Sequence, residues 1–257
     1  MGLYEELEII DVIGPVENDL ASGDNFTMDF ERGKILVKTT PFAEKPWLFT
    51  AMCQKRDCAL WTFYFNGFGV VHTECLKCWK VVVKMQSLRQ LMAMRKLQRE
   101  MGLPSKCGVE KRGFARKGGL YAAFWYVDLD GGIKAGLELK DRVKEAVGKK
   151  IPGNVSVILK RGCTEIELNY GDSKSWDEVA KREQWERKSL LLDAVYELEH
   201  QWDKSPERMR IEHSFFEPAM IRKWIRFAAD VGDMTYLDFK EESFTKGTRT
   251  YTKEDLQ

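Results

Sequence analysis

Residues 53–84 have the sequence CQKRDCALWTFYFNGFGVVHTECLKCWKVVVK, in which two cysteine pairs enclose an aromatic segment. Four residues separate Cys53 from Cys58, and two separate Cys75 from Cys78. Two such pairs are typical of a four-thiolate zinc site, because each pair can present both sulfurs from one tight turn. The spacing therefore predicts a structural zinc ion held by these four cysteines, closed to water and substrate.

Other arrangements use the same residues. The four thiolates could hold iron, or they could be buried without a metal. His72 lies three residues before Cys75 and could replace Cys53 or Cys58 as a ligand. It could also donate a hydrogen bond to the site from the side. The spacing alone leaves these alternatives open.

The segment between the pairs predicts a hairpin. Residues 60–65 are aromatic and strand-like, Asn66-Gly67 is a strong turn signal, and residues 68–71 can return. Residues 79–84, WKVVVK, are β-branched and predict a further strand. Together these features predict a small zinc-ribbon-like module, a pattern that occurs in proteins of many unrelated functions.

The remaining chain alternates between strand and helix patterns. Apolar residues recur at helical spacing over 86–101, 137–148 and 173–204, and a further helix is expected over 217–231. Residues 119–129 and the pair VSVILK and CTEIELNY predict strands. The fold class is therefore α+β, with a mixed sheet, a zinc-ribbon-like module and a helical C-terminal part. The expected organisation is a β-rich segment (1–50), the zinc module with a basic helix and loop (51–118), an α/β and then helical region (119–242), and a mobile tail (243–257).

Compartment and membrane association follow from composition. Six cysteines without a signal-peptide pattern at the start of the chain favour a reducing, cytoplasmic compartment. No run of eighteen apolar residues occurs, so no membrane partner is expected.

Charge is distributed unevenly along the chain. Residues 1–50 carry 4 Lys+Arg and 10 Asp+Glu, residues 51–163 carry 22 and 9, and residues 164–257 carry 15 and 21. The net charges are therefore −6, +13 and −6, which sum to +1. A basic centre predicts a polyanionic partner, with nucleic acid the leading candidate. The residues expected to contact phosphate are Lys80, Lys84, Arg89, Lys96, Arg99, Lys111, Arg112, Arg116 and Lys117.

Two aromatic residues lie in the same region. Trp79 and Phe114 could stack on bases. The alternative is that the basic face pairs with the acidic flanks of the same chain, or that a protein partner binds in an adaptor or assembly role.

Catalytic candidates are weaker. Asp128 and Asp130 follow a predicted strand, and Glu165 and Glu167 are two residues apart on another, so a nuclease-like or phosphoryl-transfer enzyme could hold Mg²⁺ there. Cys107 is flanked by basic residues that could activate a thiol, although a core position is the simpler interpretation.

Overall fold

The structure is a computed structural model, and it describes residues 26–38, 47–51, 57–110, 120–177, 179–199 and 206–239. Cys53, the basic residues 111–119 and the expected tail at 243–257 lie outside the described residues.

The described elements comprise eight strands and seven α-helices. The strands are β1 (Phe26–Asp29), β2 (Lys34–Val37), β3 (Trp47–Ala51), β4 (Trp79–Met85), β5 (Ser105–Val109), β6 (Tyr121–Tyr126), β7 (Ser156–Arg161) and β8 (Tyr196–Leu198). The helices are α1 (Cys58–Phe68), α2 (Thr73–Leu76), α3 (Leu88–Met101), α4 (Gly132–Lys150), α5 (Thr164–Tyr170), α6 (Val179–Val195) and α7 (Pro206–Asp230). Short 3₁₀ turns occupy Leu129–Gly131, Ser173–Asp177 and Met234–Phe239. The α+β class is confirmed.

A five-stranded sheet forms the centre of the molecule. Its order is β3-β5-β6-β4-β7, and every neighbouring pair is antiparallel. Along the chain the elements run β4-α3-β5-β6-α4-β7, the split β-α-β-β-α-β arrangement, with β3 added at the β5 edge. Because β4 is flanked on both sides, its Val81, Val82 and Val83 are all buried.

One face of this sheet carries the larger hydrophobic core. Side chains alternate across a strand, so Val81 and Val83 of β4 point to the same face as Cys107 of β5 and Trp125 of β6. Helices α3, α4 and α7 contribute Leu91, Val143 and Trp224, among others, to this core. The predicted helix at 86–101 is confirmed as α3, which begins after Ser87 and ends at Gly102 in the left-handed conformation.

A second core involves the smaller sheet. Its strands pair in the order β1-β2-β8, with β1 antiparallel and β8 parallel to β2, so this sheet is mixed. Residues from α1, α2, α5 and α6 complete the core, including Tyr64, Cys75, Ile166 and Leu192. The described residues thus form two large hydrophobic clusters, on either side of the point where α2 leads into β4, and a smaller third one on the other face of the five-stranded sheet.

The predicted hairpin at 60–71 is wrong. Residues 58–68 form helix α1, which ends at Gly69 with φ 66°. Leu60, Trp61 and Tyr64 are buried together because residues three and four apart share a helical face. A short aromatic run fits either structure, and packing against the second core selects the helix.

The predicted strand CTEIELNY is also wrong. It forms helix α5, preceded by a turn at Gly162 with φ 65°. A Cβ at Gly162 would lie 2.5 Å from the ring of Trp176, so only glycine fits this turn. The long helix predicted over 173–204 ends instead at Val195, and Tyr196–Leu198 pairs with β2.

Within the described part of the chain, no helix has both the length and the apolar character needed to cross a membrane.

Candidate functional site

The second cysteine pair lies in the turn between α2 and β4. Cys75 N–H donates to His72 O at 2.8 Å, and Cys78 N–H donates to Cys75 O at 3.3 Å. Both cysteines are buried. The close pair therefore occupies one tight turn, as its spacing predicts.

Strand β7 brings a third cysteine to this turn. Trp79 pairs with Arg161 at the end of the β4–β7 ladder, and Gly162 N–H donates to Cys78 O at 2.8 Å. Cys163 is the next residue and precedes α5. A cysteine 85 positions after Cys78 thus lies beside it, because the register of two neighbouring strands places it there.

Cys58 completes a group of four thiols. It is the first residue of α1 and is exposed. Burial raises the pKa of Cys75 well above its ordinary value, and the charges of Cys163, Cys58 and Cys78 raise it further. We call Cys58, Cys75, Cys78 and Cys163 the thiol cluster. With their present side-chain positions, the described His, Cys, Asp and Glu residues include no group of three that could hold a metal ion.

Lys80 lies against the thiol cluster from the sheet. Its Nζ donates to Cys163 Sγ at 3.7 Å, and only 7% of the residue is exposed. Burial lowers the pKa of this lysine, but the opposing charges of Cys163, Cys78 and Cys58 raise it by more, so the net shift is upward. A buried ammonium group is therefore placed next to a group of thiols.

Protein groups contact both ring nitrogens of His72. Its Nδ1 accepts from Glu74 N–H at 3.2 Å, its Nε2 lies 3.0 Å from Asp193 Oδ2, and its ring stacks on Trp61 at 4.7 Å. Asp193 also accepts a hydrogen bond from Tyr64 at 3.0 Å. Because both ring nitrogens have protein partners, His72 caps α2 and ties it to α6.

The basic helix α3 pairs with acidic residues of the C-terminal part. Arg89 Nε donates to Asp238 at 2.7 Å. The buried Arg95 makes two bonds to Glu217, at 3.0 and 3.1 Å, and Arg99 lies 3.7 Å from the same carboxylate. Lys96 is exposed. The arginines of α3 therefore pair with acidic residues of the same chain, as expected if the basic region contacts the acidic flanks instead of nucleic acid.

The second face of the five-stranded sheet combines lysines with aromatic residues. The strand registers align Phe49, Lys106, Phe124, Val82 and Ile158 in one row across all five strands. The neighbouring rows contain Trp47 and Lys84 on one side, and Tyr126, Lys80 and Lys160 on the other. We call this surface the lysine face. Among the described residues, its apolar side chains cluster only with one another, as Trp47, Val82, Ala122, Phe124 and Tyr126.

Lysine side chains lie over the aromatic rings of this face. Lys106 Nζ is 4.7 Å from the ring centre of Trp47, 5.2 Å from that of Phe124 and 5.6 Å from that of Phe49. Lys80 Nζ is 5.7 Å from Phe124. Burial and, secondarily, the charge of Lys80 lower the pKa of Lys106 to about 8. The ring faces partly stabilise a charge that its surroundings otherwise disfavour.

Two other lysines of this face have acidic partners. Lys84 Nζ lies 2.9 Å from Glu110, and Lys160 contacts both Glu167 and Thr164. Trp79, expected to stack on bases, points to the opposite face of β4 and is covered by Arg161 at 5.7 Å. Phe114 lies outside the described residues. The aromatic residues of the lysine face are Trp47, Phe49, Phe124 and Tyr126, which strand alternation and register place on the same side of the sheet; Phe124 is buried.

The carboxylate candidates do not form one centre. Asp128 and Asp130 are exposed in the turn after β6. Glu165 and Glu167 lie on a helix instead of a strand, and residues two apart on a helix point in different directions. Glu167 instead binds Lys160.

Cys107 belongs to the larger core. It is completely buried, and burial raises its pKa to about 12. A nucleophilic cysteine requires a lowered pKa and access to a substrate. The structure therefore supports the core interpretation of this residue.

Comparisons with protein-family models, curated proteins and solved structures found no match to this chain.

Proposed function

We propose that this protein binds single-stranded nucleic acid on the lysine face. The observation that carries the proposal is the convergence of Lys80, Lys84, Lys106 and Lys160 with aromatic rings on one side of a β-sheet. Sheets of this kind can bind single strands through aromatic side chains that stack on bases. Stacking of one base on an aromatic ring contributes about 1–3 kcal/mol and tolerates any sequence.

The lysines supply the phosphate contacts. Lys106 lies over aromatic rings and can turn toward a phosphate when a base takes its place, whereas Lys84 and Lys160 would exchange a carboxylate for phosphate. Lys80 stays against the thiol cluster. If the other three lysines each neutralise a phosphate, the logarithm of the affinity falls with the logarithm of salt with a slope of about −2.

We favour the lysine face over α3 because the arginines of α3 already form ion pairs with carboxylates of the same chain. A phosphate at α3 would have to displace Asp238 from Arg89 and Glu217 from Arg99. Rearranging Lys106 requires no loss of an ion pair that the structure shows. The preferred site is therefore the sheet, while the basic residues 111–117 remain candidate additional contacts.

The test is fluorescence anisotropy of a labelled oligothymidylate with the full chain over a salt series. We expect Lys106→Gln and Trp47→Leu each to weaken binding about three- to tenfold, because each removes one phosphate or stacking contact. Lys96→Gln is the matched control, since it removes the same charge from exposed α3.

Opposite results would contradict the proposal. If Lys96→Gln weakened binding and Lys106→Gln did not, the binding surface would be α3. If the wild-type chain bound no oligonucleotide but co-purified with a protein, the adaptor function would replace this one.

We place the protein in the cytoplasm, because the five cysteines in the described ranges are present as thiols.

A second candidate function is metal-dependent chemistry on the bound strand. Tyr126 pairs with Lys80, so the turn with Asp128 and Asp130 extends from the edge of the lysine face. Exposed carboxylates beside a phosphate-binding surface can hold Mg²⁺ once phosphate supplies further oxygens. This candidate predicts Mg²⁺- or Mn²⁺-dependent turnover of an oligonucleotide that is lost in Asp128→Asn; turnover that survives in this variant would exclude it.

A further inference from the structure

We propose that Cys58, Cys75, Cys78 and Cys163 hold one zinc ion, with Cys163 in the place that the sequence spacing assigns to Cys53. The inference concerns the metal site alone and does not depend on nucleic-acid binding. It assigns a ligand from the far end of a different strand, which a local cysteine motif does not include.

The backbone positions three of these cysteines together. Cys75 and Cys78 are joined by the hydrogen bond of their turn, and Gly162 N–H bonds directly to Cys78 O. The two segments also lie close together at Cys75, whose carbonyl oxygen is 3.7 Å from the position that a Cβ at Gly162 would occupy. Cys163 therefore follows a residue that is fixed against the Cys75–Cys78 turn.

The fourth cysteine comes from the start of a helix. Cys58 opens α1, an 11-residue helix, where the positive end of the helix dipole favours a thiolate. The first turn of α1 lies beside the α2–β4 turn, because Trp61 stacks on His72 at 4.7 Å and Cys75 N–H donates to His72 O at 2.8 Å. The four thiols thus approach from α1, the α2–β4 turn and the end of β7.

The surroundings suit a negatively charged metal centre. Zinc with four thiolates carries a net charge of −2, which is costly in a buried place unless a cation lies nearby. Lys80 provides that cation, since its Nζ donates to Cys163 Sγ at 3.7 Å. Such an N–H···S bond also orients the ligand.

Binding requires the sulfurs to close around the ion. Zinc–sulfur bonds of about 2.3 Å bring tetrahedral sulfurs to roughly 3.8 Å from one another. The present side-chain positions do not form such a group. Each cysteine sulfur moves by rotation about one bond, between staggered positions. The proposal therefore requires changes of rotamer around a backbone that already places the residues together.

The consequence would be a link between the two cores. Cys75 and Cys163 both pack in the second core, and Cys163 also follows β7 of the five-stranded sheet, which carries the larger core. A zinc ion would connect α1, β4 and β7 next to Lys80, at the edge of the lysine face.

The test measures metal content of the purified full chain by elemental mass spectrometry. We expect one zinc per chain in the wild type and at least a tenfold loss of bound zinc in Cys75→Ser and Cys163→Ser. Cys53→Ser should retain its zinc. Cys107→Ala is the matched control, because this cysteine is buried in the larger core outside the thiol cluster, and it should also retain zinc.

A second measurement guards against loss of folding. After reconstitution with Co²⁺, the thiolate-to-cobalt charge-transfer band counts the sulfur ligands, and circular dichroism reports the fold. At saturating Co²⁺, a folded Cys163→Ser chain whose band per bound cobalt ion is reduced by about one quarter supports the proposal. Stoichiometric zinc and an undiminished band in Cys163→Ser would overturn it, as would loss of zinc in Cys53→Ser alone. Iron in place of zinc would overturn the identity of the ion.

The two proposals fail separately. The Trp47→Leu substitution changes the lysine face. The variant chain should therefore retain its zinc and bind oligonucleotide more weakly. A chain that binds oligonucleotide but contains no metal would refute the zinc site and leave the nucleic-acid function in place.

Discussion

Helix α3 and the lysine face are both rich in basic residues, yet their charges have different surroundings. The arginines of α3 form ion pairs with Asp238 and Glu217. Lys80 and Lys106 of the sheet lie over aromatic rings. The comparison shows that basic residues can pair with carboxylates of their own chain, as in α3, or lie over aromatic rings, as Lys80 and Lys106 do. Which of these occurs depends on what packs against each element.

The largest expected effect concerns the buried ion pair of α3. Glu217→Ala should lower the free energy of unfolding by about 3 kcal/mol, because it leaves the buried Arg95 guanidinium without its carboxylate. Urea denaturation measures the change. Asp238→Ala is the control: its pair with Arg89 is exposed, so the loss should be below about 1 kcal/mol. Equal losses in the two variants would mean that the burial of the Arg95 pair has no energetic importance.

The next effect concerns the start of α3. Asp233 accepts hydrogen bonds from Leu88 N–H at 2.6 Å and from the Tyr121 hydroxyl at 2.7 Å. Asp233→Ala should therefore reduce the free energy of unfolding by about 2 kcal/mol. Tyr121→Phe, which removes one donor, should reduce it by less.

The same carboxylate makes stability depend on acid. Burial raises the pKa of Asp233, but hydrogen bonds from Tyr121, Thr235 and Leu88 lower it by more, to below its ordinary 3.8. The stabilisation is therefore complete above pH 3.8 and is lost as the pH falls through the lower folded value. Urea denaturation midpoints of the wild type, measured from about pH 6 down to about pH 2, should show this loss. A wild-type profile identical to that of Asp233→Ala would contradict the assignment.

A smaller effect of opposite sign is expected on the lysine face. Lys106→Met should raise the free energy of unfolding at neutral pH by about 1 kcal/mol, because it removes a partly buried ammonium group and keeps the apolar stem. The folded pKa of about 8 lies below the ordinary 10.5, so wild-type stability should rise with pH between these values and that of the variant should not. A destabilised Lys106→Met would show that the cation–π contacts outweigh the cost of burial.

The smallest effect is the pH dependence of binding. Lys106 is protonated at pH 7 and loses its charge as the pH rises through about 8. Lys80 lowers this value, while Cys163, Cys58 and Glu110 raise it. Oligonucleotide affinity should fall about two- to fourfold between pH 7 and 9, as one phosphate contact weakens. Lys106→Arg keeps its charge in this range, so its affinity should stay constant; a parallel fall would assign the titration to another group.

Long elements with a regular apolar repeat could be predicted from sequence. The 14 residues of α3 show apolar residues at helical spacing, a serine cap and a terminal glycine, and these signals agree with one another. Strand β4 was evident from its three valines. In contrast, residues 58–68 and 164–170 are short segments in which apolar patterns fit a strand or a helix. Their packing against the second core decided the outcome.

The thiol cluster and the lysine face also combine features that local sequence predicts with features that depend on strand pairing. The turn at Cys75 and Cys78 follows from a spacing of two residues. The approach of Cys163 depends on β7 pairing with β4 across two helices and two strands, and local sequence does not contain that register. Alternation along β4 does place Lys80 and Lys84 on one face, but the strand order alone brings Phe124 and Trp47 beside them.

Strand β5 lies in a segment that the sequence predicts as a basic loop. The sequence by itself determined the α+β class, the main helix, the strands β4, β6 and β7, the cysteine turn and the concentration of basic charge. Each of these depends on residues within a few positions of one another, where periodicity and turn chemistry act directly. Only the tertiary structure decided which charges meet acids, which lie over aromatic rings, and which cysteines share a neighbourhood. Those outcomes depend on contacts between residues far apart in the chain, and it is the burial of apolar surface on both sides of β4 that selects them.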